Sequence, residues 1–359
     1  MLRKNLIPKI IVVMLILGFG AKEALAQAGG AAVPFLLIAP NSRSSAMGDA
    51  GTGIADDLNA LFWNPGGLAF QYDRQVSLSF SKWLPQFNAD LFYSYVAYGQ
   101  YVEELEGYVA ANFILMNLGQ FTRTSVDGRI LGTFRSNEFS LGLTYATQLG
   151  NDFGFGTQFR YIQSNLAEGA NAQGTGSGTG ISVGFDLGIL WAPEKLDLFG
   201  LELDDRLSLG FNLQNVGPSV TYNEESDPLP TMLRLGLGLN VLRDEFNDLI
   251  LAVDVAKLLV RRDEFGADRI PKSFITAWET GGVELSLGAE YWYEQVFALR
   301  GGYFTEPSRI GDRQYLTFGA GVRFELFQLD FSFISPVEEN HPLANTMRFT
   351  LLVDWGREK

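Results

Sequence analysis

Large apolar residues recur at every second position through most of this chain. Across 181–191 one row reads Ile181, Val183, Phe185, Leu187, Ile189 and Trp191, and the other begins Ser182, Gly184, Asp186, Gly188. Phe139, Leu141, Leu143 and Tyr145 alternate with Ser140, Gly142 and Thr144. The pattern repeats at 207–214, 233–241, 283–292, 315–324 and 347–355. Period two sends successive side chains to opposite faces of a strand. A soluble sandwich alternates too, but it sets its large apolar residues opposite solvated charges. Here the second face is Gly and Ser with sparse charges of both signs: Arg160, Asp186, Arg234, Glu284, Arg300, Arg323, Arg348 and Asp354. Apolar residues facing lipid around a crowded polar interior would produce this pattern.

Fourteen such segments are legible, at 75–83, 90–100, 106–117, 137–148, 153–164, 180–191, 206–216, 232–241, 247–257, 282–292, 295–304, 314–324, 327–335 and 346–355. Each is about the ten residues that a tilted strand needs to cross a bilayer. The expectation is an all-β protein, a 14-stranded antiparallel transmembrane β-barrel in the outer membrane. An even count puts both ends of the barrel on one side. Gaps after even-numbered strands are mostly short and gaps after odd-numbered strands mostly long, as periplasmic turns and external loops should be. The exceptions are a short external gap at 84–89 and a long periplasmic one at 192–205. In this topology Trp191, Trp292 and Trp355 end descending strands and predict a periplasmic aromatic girdle, with Trp83 at the outer interface. Two stretches, 91–98 and 108–116, are apolar on both faces. They fit packing against an inner segment, or an apolar passage through the wall or lumen.

Composition narrows the class. The first residues read as a secretory signal: a basic start at Arg3, Lys4 and Lys9, an apolar run over 10–20, and Ala24-Leu25-Ala26 before Gln27. Loss of residues 1–26 takes away Arg3, Lys4, Lys9 and Lys22 against Glu23 and moves the formal charge from −14 to −17. Nucleic-acid binding by counterion release is excluded for such an acidic chain. There is no Cys, hence no lipoprotein anchor and no disulfide. The single histidine, His341, lies in a predicted external loop beside Pro342, an unpromising setting for a general base. The acidic loop residues Glu224, Glu225, Asp227, Glu338 and Glu339 show no coordinating spacing. No catalytic, cofactor-binding or metal site is expected. The stretch 165–179 is rich in Gly, Ser and Ala and reads as a loop.

Residues 27–74 precede the first strand and hold too many apolar side chains for a solvated tail: Phe35, Leu36, Leu37, Ile38, Leu58, Leu61, Phe62 and Trp63. A barrel of this size is water-filled or plugged. A plug of 27–74 inside a barrel of 75–359 satisfies both requirements. Within it, Met47, Gly48, Asp49 and Gly51 begin a glycine-spaced run resembling a phosphate-cradling loop. Such a loop needs a strand before it, a helix after it and a Lys-Ser/Thr pair. Pro34 and Pro40 precede it instead, and Asn64-Pro65 breaks the chain after it. Glycines making tight turns in a confined plug explain the spacing better, with Asp56 or Asp57 capping a short helix that Pro65 stops.

The stretch from Met47 to Phe70, with its Ala-Asp and Asn-Pro elements, resembles the plug of FadL-type outer-membrane channels. The longer string "FLLIAPNSRSSAMGDAG", which includes Arg43, is similar to the PorV/PorQ family of the type IX secretion system, as are "LQNVGPSVTY" and "VDVAKLLV". Gly66-Gly67 stands where that family tends to carry Ala-Lys. The resemblance implies a non-enzymatic barrel. It would receive secreted cargo with C-terminal signal domains from a large translocon barrel. It would then pass the cargo to a surface attachment complex with a sortase-like protein. The alternative implied by the FadL likeness is a channel for hydrophobic small molecules.

Overall fold

The computed structural model describes residues 30–87, 90–125, 127–167, 178–198, 200–223, 225–263, 266–279, 282–308 and 311–356. The expected signal at 1–26, Glu224 and most of the 165–179 loop lie outside the described residues. The barrel strands are β1 (Arg74–Lys82), β2 (Phe92–Val102), β3 (Gly107–Thr124), β4 (Ile130–Leu149), β5 (Phe153–Ala167), β6 (Gly178–Trp191) and β7 (Leu207–Val216). They continue as β8 (Met232–Arg243), β9 (Asn247–Leu258), β10 (Glu284–Tyr293), β11 (Phe297–Thr305), β12 (Gln314–Phe324), β13 (Phe327–Pro336) and β14 (Met347–Trp355). Neighbours in sequence pair antiparallel, and β1 closes on β14 from Arg74↔Trp355 to Ser81↔Arg348.

The period-two pattern sets the two faces. In β6 the even residues from Gly178 to Leu190 are buried, while Ile181, Val183 and Phe185 are exposed on the outside. The same outer row holds Leu141 and Leu143 in β4, Phe318 in β12 and Phe349 in β14. In an outer membrane this row meets lipid. Closure leaves no strand edge within the bilayer, where an unpaired backbone group costs several kcal/mol.

The 118–136 gap is mostly strand. β3 runs on to Thr124 and β4 starts at Ile130, so the pair projects as a hairpin beyond its neighbours. Aromatic and β-branched residues explain the extension: Phe121 stacks on Phe134 at 5.6 Å between ring centroids, and Ile130 and Leu131 are exposed at the turn. Among the described residues, three other gaps contain small two-stranded ribbons: Asp197–Leu198 with Leu201–Glu202, Val220–Tyr222 with Glu225–Asp227, and Arg262–Asp263 with Gly266–Ala267.

Two tryptophans turn inward. Trp292 shares its face of β10 with Glu284 and Glu290 and is 4% exposed. The Arg323 and Arg300 guanidinium carbons lie 4.5 and 5.4 Å from its ring centroid. Cation–π contact inside the wall therefore removes Trp292 from the expected girdle. Trp83 packs inward beside the cluster of Phe304, Tyr315 and Ile334. Trp191 and Trp355 lie on the outward rows, beside Phe153 and Tyr98 respectively.

Residues 30–73, the strap, run through short helical turns at Pro34–Leu37, Ser42–Ala46, Ala60–Trp63 and Pro65–Phe70. Their partners are inward-facing residues of strands all around the ring, including Tyr93, Gly188, Asp254, Thr317 and Thr350. The strap therefore lies within the ring of strands.

Candidate functional site: the strap and the inner wall

The glycine-spaced run does cradle an acidic group, and that group is a side chain of the wall. The backbone N–H groups of Gly51 and Thr52 donate to Asp254 Oδ2 at 2.9 and 2.8 Å. Consecutive N–H groups aimed at one carboxylate oxygen form the type of nest that elsewhere takes phosphate. Gly48 has φ 67° and donates its N–H to Thr317 Oγ1 at 2.9 Å. A Cβ placed there would sit 2.6 Å from the Tyr303 carbonyl oxygen and 2.8 Å from that of Leu287. Gly48 is thus required twice, by its left-handed backbone and by its contact with the wall. Asp49, also left-handed at φ 64°, accepts from the Tyr315 hydroxyl at 2.7 Å. Met47 is fully buried and lies over Gly288 and Gly302.

Arg43 is the ionic centre. It reaches Glu290 with Nη2 at 2.6 Å and Nε at 2.9 Å, Asp57 at 3.1 Å, and Asp56. Glu290 also accepts from Arg300 Nε at 2.6 Å, and Arg300 Nη1 donates to Asp330 at 2.7 Å. Asp57 also accepts the Asn59 N–H at 2.7 Å, just ahead of the Ala60–Trp63 turn; Asp56 serves Arg43 and has a half-exposed side chain.

Asn64 and Pro65 form a joint. The Asn64 Oδ1 accepts the Gly66 N–H at 3.1 Å and so caps the turn that Pro65 begins. Its Nδ2 donates to the carbonyls of Thr52 and of Ile189 in β6, each at 3.0 Å. One side chain therefore ties two parts of the strap to the wall. Trp63 donates Nε1–H to Asn41 Oδ1 at 2.8 Å, and Asn212 Nδ2 donates to the Trp63 carbonyl at 2.6 Å.

The small residues of the inner face now have a use. Strap backbone or Cβ atoms lie against Gly154, Gly156, Gly188, Gly236, Gly288 and Gly302, where a wall Cβ would collide. The doubly apolar stretches of β2 and β3 supply Tyr93, Tyr95, Tyr108, Ile114 and Met116 to one buried cluster. Phe35, Leu36, Leu58, Leu61 and Leu68 of the strap complete it. Packing is thus the use these two stretches find. Sequence reasoning missed Asp254, Thr317 and Asp330 as strap-side or network partners; their place on the Gly/Ser face was the available signal. His341 stands in the β13–β14 loop, its Nδ1 accepting the Leu343 N–H at 3.1 Å. Among the described residues no group of three His, Asp or Glu is placed to hold a metal.

A closed ring of fourteen antiparallel strands with lipid-facing apolar rows defines an outer-membrane β-barrel, and its fold is FadL-like. The family profile described as "Type IX secretion system protein PorV" matches residues 22–264, and the chain belongs to that family. Among solved structures it is similar to the Ralstonia pickettii toluene transporter TbuX, with TM-score 0.55 and 13% identity over 88% of this chain and 97% of that one. The Pseudomonas putida toluene transporter TodX gives 0.53 and 13%, over 93% and 99%. A Pseudomonas aeruginosa FadL homologue gives 0.51 and 12%, over 91% and 99%. At these identities the likeness concerns the fold. No curated protein sequence matches significantly.

Proposed function

We propose that this protein is a non-enzymatic receiving barrel of type IX secretion. It takes cargo bearing a C-terminal signal domain from the large translocon barrel and passes it to the surface attachment complex with its sortase-like protein. Residues 1–26 export the chain, and 27–74 act as a seal inside the barrel of 75–359. The observation that carries this reading is the PorV family match over residues 22–264. The strap inside the ring of strands supports it: Phe35, Leu36 and Leu58 occupy the apolar side of the lumen, and the long external loops offer surface for contact with cargo. A strain lacking the protein should accumulate signal-domain cargo in the periplasm. Normal release of that cargo from the deletion strain overturns the proposal.

The channel reading takes its support from the fold shared with TbuX and TodX. It requires the strap to leave the apolar cluster. Saturable uptake of toluene or a fatty acid by cells carrying the barrel, together with normal cargo release without it, would favour the channel instead.

A further inference from the structure

The strap has a direction. Gly66 lies against the carbonyls of Gly154 and Gly188, close to the short turn between β4 and β5. Thr52 meets Asp254 further along β9. Gly48 and Ser42 then reach Thr317 and Thr350 in the far halves of β12 and β14. The Tyr93 hydroxyl, near the start of β2, donates to the Ile38 carbonyl at 3.2 Å. Ala32 donates its N–H to the Pro228 carbonyl at 2.9 Å, in the loop between β7 and β8. Gly30 packs against the Arg262 side chain in the loop between β9 and β10, and Arg262 is ion-paired with Asp227.

The contacts therefore climb from the end with short turns to the end with long loops. Both ends of the strand ring, Arg74 and Trp355, lie at the short-turn end. The start of the strap lies at the other. In outer-membrane barrels the short turns are periplasmic and the long loops external. We propose that the strap threads the barrel outward, so that Gly30 to Ala32 emerge at the exterior mouth and are clamped there between the β7–β8 and β9–β10 loops. The seal is then fastened at both ends, by Asn64 near the inner turns and by the Asp227–Arg262 pair outside. Movement of either external loop loosens the strap from its outer end first.

The chain has no Cys, so single thiols report cleanly. Ala31→Cys, Ile275→Cys in an external loop, and Tyr72→Cys at the opposite end are each treated on intact cells with a membrane-impermeant maleimide. Heat-modifiable migration verifies folding, and labelling in SDS verifies the thiol. Ala31→Cys and Ile275→Cys should react on intact cells, and Tyr72→Cys only after the cells are broken. Labelling of Ile275→Cys without Ala31→Cys overturns the outward threading, and labelling of Tyr72→Cys alone overturns the orientation on which it rests. Adding Asp227→Asn removes a charge-assisted contact and should speed labelling at Ala31→Cys about tenfold, leaving Ile275→Cys unchanged. Equal rates at Ala31→Cys with and without Asp227→Asn overturn the clamp. Cargo release plays no part in these readouts, so they stand or fall separately from the secretion role.

Discussion

The two sides of the lumen hold one strap by different means. Around β8 to β14 the wall presents glycines and a few charged or hydroxyl groups, and the strap backbone comes close enough to donate to Asp254 and Thr317. Around β2 and β3 the wall presents Tyr93, Tyr95, Ile114 and Met116, and the strap answers with Phe35, Leu36 and Leu58. Contacts on the first side have strict geometry and leave a buried charge or donor unpaired when cut. Dispersion and burial on the second side tolerate changes of shape. The polar side should therefore be brittle and the apolar side forgiving.

Breaking the ionic centre gives the largest expected effect. Arg43→Ala leaves Glu290 with Arg300 alone and strands Asp57, a loss of about 3–5 kcal/mol by the usual cost of an orphaned buried charge. The midpoint of heat-modifiable migration should fall, and small-solute leak in liposomes should rise. Gly48→Val comes next, at about 2–4 kcal/mol, because a Cβ meets wall backbone and the left-handed φ is unsuited to valine. Leak should rise here as well, since the strap must back away from β10 and β11. Asn64→Ala with Pro65→Ala removes the joint at about 1–3 kcal/mol; unchanged permeability in that double variant argues against a sealing role. Smallest is Ile114→Val on the apolar side, at about 1 kcal/mol and with no added leak. A leak from Ile114→Val equal to that from Gly48→Val would erase the contrast between the two sides.

Much of this was legible along the chain. Alternation at 181–191 gives β6 its lipid-facing and inner rows, and the same reading holds for β4, β12 and β14. Trp292 carries two conflicting signals along the chain. It has the parity of Glu284 and Glu290, which places it inside, and its position near a strand end suggested a girdle. The 118–136 stretch was long enough to read as a loop, yet Phe121 and Phe134 pair across a hairpin. The glycine-spaced run was legible as tight and backbone-exposing; that its partner is Asp254, more than two hundred residues away, was not.

The chain by itself therefore determined the strand number, the two faces of each strand and the presence of an apolar segment ahead of the first. These follow from local geometry, since period two is a property of every extended backbone. Tertiary structure alone decided which inner glycine meets which strap residue, which carboxylate fills the nest, and where the strap begins. Those depend on close approaches between segments far apart in sequence, which closure of the barrel brings together at distances that no local pattern encodes.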